Sequence, residues 1–366
     1  MKICHYLPSL NLNDGGPPRS VSFICKELAS LGNEITILTA QKDLTNDIQL
    51  SPLVRRVNLL EKEDIKSFFT ENNFNIVHTH GIWLMNTHYI NNLVNSLGMN
   101  LIISPRGMLE KWAFNHKRFK KFAAWHLYQR KDLNNASAFH ATANSESLTI
   151  KRKGFRQKVY QIPNGVYAPS RLIEKSNLLN NKKVLFLSRI NKKKGLDFLL
   201  EAWARINAKG WTLQIAGNDD DGTINFIRGR IKQKDLIGRV ELLGALNEEQ
   251  KVASYLQAGL FILPSHSENF GIVVAEALSY GIPVITTKGC PWEDLNNFDC
   301  GWWIDLDIDQ ITKTLTEYIH STTDERKEEL SRNAIKLVNA KFKWESIAKS
   351  FLSMYREQNA NDEQKL

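Results

Sequence analysis

The chain has 366 residues, 42% hydrophobic and 24% charged, which excludes a disordered or fibrous protein and leaves room for two globular domains. Its net charge of +9 needs an anionic partner, such as a phosphorylated substrate, an anionic membrane or nucleic acid, or else serves solubility. No apolar run is long enough to cross a bilayer, the start MKICHYLPSL reads as a strand and not a leader, and Cys4, Cys25, Cys290 and Cys300 lack metal or disulfide spacing, so a reduced, cytoplasmic chain is expected.

In chain order, residues 2–10 read as a strand, followed by the loop LNDGGPPRS and a helix from about Ser20 to Leu31. NEITILTA is the next strand, so the chain opens as a doubly wound sheet. Gly15 and Gly16 allow close backbone approach to a ligand, although the loop has neither a dinucleotide fingerprint nor a Walker pattern. FNIVHTHGIW (74–83) reads as a buried strand entering a loop, 87–97 as a helix, and LIISPRGML as a further strand and loop. His78, His80 and Arg106 thus fall at strand ends, where open α/β sheets line their ligand crevice. A strand-end histidine is commonly structural, but two bracketing one residue are candidates for the cleft. Arg106 stays protonated and suits an acceptor phosphate or developing negative charge, not a base.

Residues 111–131, KWAFNHKRFKKFAAWHLYQRK, interleave basic and aromatic side chains. One reading is a helix lying on an anionic membrane; the other is a partly buried helix with a solvated basic side. No nucleic-acid module accompanies the patch, and no nucleic-acid partner is expected. ASAFHATANSES (136–147) reads as strand then helix start, with His140 in the core, and KVYQIPNGV (158–166) as a strand. Residues 167–181 read as a linker.

In the second half, VLFLS (184–188) is a strand, Arg189 follows at once, and Lys194 precedes Gly195 and a helix. Two cations between a strand and a helix start suit a diphosphate, Arg as a planar fork and Lys as a point charge; Lys192 and Lys193 could substitute or assist. WTLQIAGN (211–218) and RVELLGAL (239–246) are strands, 248–257 a helix, LFILP (260–264) a strand and CGWWID (300–305) a late strand or bend. Asp219, Asp220 and Asp221 read as a solvated loop and not as a metal site. The end, FKWESIAKSFLSMYREQ, reads as an amphipathic helix with a polar tail after about Gln358.

Residues 264–285, PSHSENFGIVVAEALSYGIPVI, carry the most specific pattern. Asn269 and Gly271 place Glu268 on a loop, and the apolar spacing that follows places Glu276, eight residues on, inside a helix. The backbone N–H groups and the positive helix end would face an anion between them.

Two glutamates flanking seven residues, with Asn269–Phe270–Gly271 after the first, resemble the donor motif of GT-B glycosyltransferases. More narrowly, the chain is similar to the large retaining family called glycosyl transferases group 1, or family 4, of polysaccharide-biosynthesis type. The resemblance implies two doubly wound Rossmann-like domains facing across a cleft: 1–167 on the acceptor side, 168–345 binding the nucleotide sugar, and a final helix and tail, 346–366, returning to the first domain. It also implies that Arg189 and Lys194 grip the diphosphate, Glu268 holds sugar hydroxyls and the transition state, and Glu276 accepts from the ribose hydroxyls. Backbone at Phe270, Gly271 and Ile272 would meet sugar and β-phosphate, Gly16 the donor phosphates, and Leu243 and Gly244 the nucleotide base. The family commonly has a histidine where this chain has Arg106; a related subgroup carries arginine–glycine–methionine there, as this chain does at 106–108.

The activity so implied is retaining transfer of a hexose from a nucleotide-diphosphate sugar to a lipid-linked or cell-surface glycan (O-antigen, capsule or exopolysaccharide), with no metal or other cofactor. The enzyme would be cytoplasmic and peripheral on the inner face of the membrane. Two rivals share the fold: a nucleotide-sugar-modifying enzyme such as a hydrolysing epimerase, and a non-enzymatic partner in a polysaccharide-assembly complex.

Overall fold

The computed structural model describes residues 1–110, 113–114, 118–169, 180–219 and 221–363, with the side chains of 13 and 361–363 left aside. Residues 170–179 of the expected linker, Lys111, Trp112 and 115–117 of the basic stretch, Asp220, and the tail at 364–366 lie outside the described residues. The chain divides into two compact units, Met1–Gly165 with Trp344–Leu366, and Val166–Lys343.

The first unit is built on a parallel sheet in the order β3-β2-β1-β4-β5-β6-β7, comprising β1 Lys2–Tyr6, β2 Glu34–Thr39, β3 Val54–Asn58, β4 Ile76–His80, β5 Asn100–Ser104, β6 Ala138–Ala141 and β7 Lys158–Gln161. Central strands β4 and β5 are buried throughout, as parallel strands covered on both faces must be. The first helix, Gly16–Ser30, begins earlier than the sequence pattern suggests, because Pro17 and Pro18 occupy its first turn. Proline is tolerated there, where its missing N–H has no helical acceptor. The final helix, Trp344–Glu363, belongs to this unit: Trp344, Ile347, Phe351 and Tyr355 join Ile3, Val21, Ile24 and Leu28 in one core cluster.

The second unit has a parallel sheet in the order β10-β9-β8-β11-β12-β13, comprising β8 Lys183–Leu187, β9 Thr212–Ala216, β10 Val240–Gly244, β11 Leu260–Leu263, β12 Val284–Thr287 and β13 Gly301–Ile304. In each sheet the order reverses once, between β1 and β4 and between β8 and β11. Loops leaving the two strands at such a reversal diverge to opposite faces and open a crevice at the strand C-terminal ends.

The basic stretch folds partly inward and leaves part of its aromatic surface outward. Trp125 is buried, and Phe114, half-buried, packs 5.7 Å from it. A π-helical turn, Trp125–Gln129, rotates the side-chain register here. Phe119, Phe122 and Leu127 remain outward at 78%, 64% and 80% exposure. Among the described residues no helix is long and apolar enough to cross a membrane.

Candidate active site

The loops after β8 and β11 emerge side by side at the reversal of the second sheet. Arg189 and Lys194 lie on the first, Glu268 on the second. Between Lys194 and the helix Leu196–Arg205 the chain turns at Gly195, φ 64, where a Cβ would stand 2.1 Å from the Pro264 carbonyl oxygen. Only glycine permits that approach, and it brings Lys194 Nζ onto Glu268 Oε1. Ser265 Oγ donates to the same oxygen at 2.8 Å. Burial acts to raise the Glu268 carboxyl, but the charges of Lys194 and Lys193 and these two bonds outweigh it and hold it below the usual carboxylate range. Glu268 is therefore ionised at neutral pH.

The Glu268 loop is held from behind. Thr286 Oγ1 donates to Leu263 O at 2.7 Å, Thr287 Oγ1 to Ser265 O, and Glu268 N to Gly289 O at 2.8 Å. His266 N donates to Lys193 O at 2.8 Å, tying the two loops together. The Phe270 ring sits 5.2 Å from Trp292 and 5.8 Å from Phe342, and Trp292 Nε1 donates to Phe270 O at 2.6 Å. These contacts leave Gly271, φ 75, to start the helix Ile272–Ser279, whose first N–H groups have no helical acceptor and suit an anion.

Glu276 lies inside that helix, as its spacing predicts. Lys251 Nζ donates to one oxygen at 2.7 Å and Tyr255 OH to the other at 2.8 Å. The Tyr255 hydroxyl is held protonated by burial and by the neighbouring Glu276 charge. Leu243 is half-buried and Gly244 exposed at the C-terminal end of β10, the outer strand of this parallel sheet. Asp219 Oδ1 accepts from Ile224 N and Asp221 Oδ1 from Thr223 N, so both close the turn into the helix Thr223–Gln233.

In the first unit Gly16 is exposed at the start of its helix, but Pro17 and Pro18 remove two donors from the first turn. An anion there would meet the Gly16 amide and not a full set of N–H groups.

The placement of His78 and His80 corrects the expectation that both line a cleft. They are 0% and 2% exposed, beneath the final helix. His78 bonds Tyr355 OH at 2.8 Å and Ser104 Oγ at 2.7 Å, while His80 bonds His5 at 3.0 Å. In-register strand neighbours share a face, so His5, His78 and, two residues on, His80 form one row with Ser104 and His140. Arg106 extends that row from the loop after β5: one Nη donates to His80 Nδ1 at 3.0 Å and the other to Asn164 Oδ1 at 3.3 Å. Burial pushes the guanidinium down to about 10, opposed by the Glu146 carboxylate, so it stays charged at neutral pH.

Arg106 and Gly107 have φ 57 and 73, and Met108 N bonds Pro105 O at 3.2 Å, a turn with two left-handed central residues. Left-handed backbone is unusual for arginine and marks a held position. Glu146 holds it by accepting from Gly107 N at 2.6 Å. Trp83, φ 82, is pinned in the same manner, with its N–H on Gln129 Oε1 at 2.6 Å and its carbonyl on Tyr128 OH at 2.6 Å.

The profile of "Glycosyl transferases group 1" matches residues 170–337, and that of "Glycosyltransferase Family 4" matches residues 14–168. The chain belongs to the group 1 glycosyltransferase family. An uncharacterised glycosyltransferase of Methanocaldococcus jannaschii is 28% identical over 187 residues, covering 48% of this chain and 45% of that protein. A probable sucrose-phosphate synthase of Thermosipho melanesiensis is 25% identical over 213 residues, covering 56% and 48%. The chain thus spans about half the length of the curated relatives it matches. Among solved structures, sucrose-phosphate synthase from Thermosynechococcus elongatus superposes with TM-score 0.81 at 19% identity, covering 99% of this chain and 100% of that one. Anabaena HepE in complex with UDP and glucose gives 0.74 at 16% identity, covering 97% and 99%. At these identities the likeness shows the fold, which is GT-B: two parallel-sheet Rossmann-like α/β domains.

Within this glycosyltransferase fold the structure joins Lys194 to Glu268, sets Glu276 on the helix that follows, and keeps Arg106 in the other unit. Sequence reasoning missed Lys251, Tyr255, Glu146, Trp83, His5 and Tyr355. A faint signal existed for the histidine row, since four neighbouring strands carry His or Ser near their C-terminal ends. Tyr355, 350 residues from its partner His5, gave none.

Proposed function

We propose that the chain transfers a hexose, with retention, from a nucleotide-diphosphate sugar to a lipid-linked or cell-surface glycan. The observation that carries this reading is the nearly buried Lys194–Glu268 pair at the reversal of the second sheet, beside an open helix N-terminus. The diphosphate takes Arg189, Lys194 and the amides at Phe270, Gly271 and Ile272. Glu268 accepts from a sugar hydroxyl and stabilises the oxocarbenium-like transition state, and Glu276 accepts from the ribose. Leu243 and Gly244 meet the base, and Gly16 a donor phosphate. The C1–O bond to the diphosphate breaks, the C1–O bond to the acceptor forms on the same face, and the acceptor proton passes to the departing diphosphate. This scheme asks for no metal and no separate base; cations and amides supply the electrostatic stabilisation. Solved structures of HepE in complex with UDP and glucose and with UDP-glucose, and of a lipopolysaccharide outer core galactosyltransferase, share the fold and support the substrate class.

Arg106 is assigned an anionic group of the acceptor. Phe119, Phe122 and Leu127, with exposed Arg118, Lys120, Arg130 and Lys131, are assigned to an anionic membrane surface on the cytoplasmic side. The test is a thermal-shift screen with UDP, GDP, ADP and their hexose conjugates, followed by product analysis with the donor that shifts. At a hundred times its dissociation constant a ligand adds about 2.7 kcal/mol. Stabilisation by one base, and a glycoside of unchanged anomeric configuration made only by unaltered Glu268, is expected. No shift with any of them would overturn the reading.

A further inference from the structure

Four buried histidines, two hydroxyls and one arginine in the first unit form an unbroken chain of hydrogen bonds. It runs Arg106–His80 (3.0 Å), His80–His5 (3.0 Å), His5–Tyr355 (3.3 Å), Tyr355–His78 (2.8 Å), His78–Ser104 (2.7 Å), Ser104–His140 (2.6 Å) and His140–Ile162 O (2.8 Å). Its two ends fix its direction. Arginine can only donate and a backbone carbonyl can only accept. A neutral imidazole has one donor and one acceptor nitrogen, and each hydroxyl here gives one bond and takes one. Starting from Arg106, His80 accepts at Nδ1 and donates from Nε2 to His5 Nδ1. His5 donates from Nε2 to Tyr355, which donates to His78 Nδ1. His78 donates from Nε2 to Ser104, which donates to His140 Nδ1, and His140 donates from Nε2 to Ile162 O. Every ring is the same Nε2–H tautomer, and no other assignment satisfies all seven bonds.

Two roles are thereby removed. The ligand atoms of His5, His78 and His80 lie within 4.8 Å of one another, but each acceptor lone pair a metal would need is already engaged. Proton relay fails too, because neither a guanidinium nor a peptide carbonyl exchanges a proton usefully at neutral pH. What remains is orientation. Arg106 has a strained backbone, an Nε with no partner among the described residues, and no carboxylate bonded to it there. Glu146, which opposes its burial electrostatically, has its oxygens on Gly107 N, Thr142 N and Thr142 Oγ1.

We propose that Tyr355 on the final helix is a positioning residue which, through His5 and His80, fixes Arg106 to receive a phosphate group of the acceptor. The proposal rests on the acceptor-side reading of Arg106 above. The Tyr355 oxygen is the acceptor that keeps His5 in its Nε2–H form. Without it, His5 can turn an Nδ1–H toward His80; His80 then presents Nδ1–H to Arg106 and the bond to the guanidinium is lost.

The test uses the full chain with 15N-labelled histidine and arginine, and inorganic phosphate as the probe. In the unaltered protein, long-range proton–nitrogen spectra at pH 7 should show His5, His78, His80 and His140 as neutral Nε2–H rings. Phosphate should shift the Arg106 Nε signal saturably, that signal being identified by its loss in Arg106→Lys. Tyr355→Phe keeps the ring and its packing but should alter the His5 and His80 signals and weaken phosphate at Arg106 about tenfold, the worth of one charge-assisted bond. Ser104→Ala deletes a hydroxyl from the far side of the same chain and should leave that affinity within about twofold. Equal effects of the two variants, an unchanged Arg106 in Tyr355→Phe, or any of the four rings in its Nδ1–H form would overturn the proposal. Failure of the glycosyl-transfer reading would register separately, as no donor binding to the second unit, and would leave these signals untouched.

Discussion

Lys194 and Glu268, 74 residues apart in the chain, meet as an ion pair whose side chains are only 9% and 12% exposed. A pair so enclosed contributes little net stability against an apolar replacement, yet removing one partner strands the other charge. Lys194→Met alone should therefore lower stability by about 3 kcal/mol or more. Adding Glu268→Gln should restore most of that loss while donor turnover stays absent in both. Urea unfolding and donor turnover measured on the same preparations check this. A single variant as stable as the parent would mean the pair is solvated.

The four buried histidines make the first unit sensitive to acid. Burial lowers His5 and His140 to about 3, and it also holds His78 and His80 well below the ordinary value. The unfolded chain therefore binds more protons below about 6.5, and stability is lost as pH falls through that value toward 3. At pH 5.5 His5 and His140 each forfeit about 1.4 kcal/mol, and His78 and His80 add to that loss. Glu146 works the other way: burial raises its carboxyl, and the bonds from Thr142 and Gly107 and the Arg106 charge only partly oppose this, so it recovers some stability at lower pH. Denaturant titrations at pH 7.5 and 5.5 should show a loss of several kcal/mol, set against a typical total of about 5–15 kcal/mol. A difference below about 1 kcal/mol would mean that the rings are already charged or accessible in the fold.

What could be read in the sequence follows from which interactions are local. Strand runs such as IVH at 76–78 and the loop–helix division of Glu268 and Glu276 depend on near neighbours, and the structure reproduces them. Strand β3, VRRVN, escaped notice because it is an edge strand, and two exposed arginines interrupt its apolar pattern. The basic stretch left two readings open because its aromatic pattern segregates imperfectly at helical spacing, and the π turn that accompanies the burial of Trp125 leaves no mark in that spacing. The Lys194–Glu268 bond, the Lys251–Glu276 bond and the place of Tyr355 arise only when distant strands and helices pack, and spacing along the chain carries no trace of them.

Arg106 separates stability from function in one comparison. Both Arg106→Gly and Arg106→Ala remove the guanidinium and its bonds to His80 and Asn164. Only alanine must still adopt the left-handed φ of 57. The glycine variant should thus be more stable than the alanine variant by about 1 kcal/mol, with both defective in transfer. Equal stabilities would show that the turn relaxes once the side chain is gone. Full activity in either variant would remove Arg106 from the site.

The outward residues of the basic stretch give a last test. Phe119, Phe122 and Leu127 have little folded-state contact to lose, so replacing all three by serine should change stability by no more than about 0.5 kcal/mol per site. On a membrane the same side chains would each leave water, contributing about 1.5–3 kcal/mol when fully buried, while each nearby cation adds about 1 kcal/mol on an anionic surface. Co-sedimentation with vesicles containing anionic lipid should therefore fall sharply in the triple variant. It should also fall when Arg118, Lys120, Arg130 and Lys131 are neutralised, the second loss being mimicked by added salt and the first not. Binding by the parent chain that resists both changes would assign membrane contact to another surface. An unfolded triple variant would show that these side chains are not free in solution.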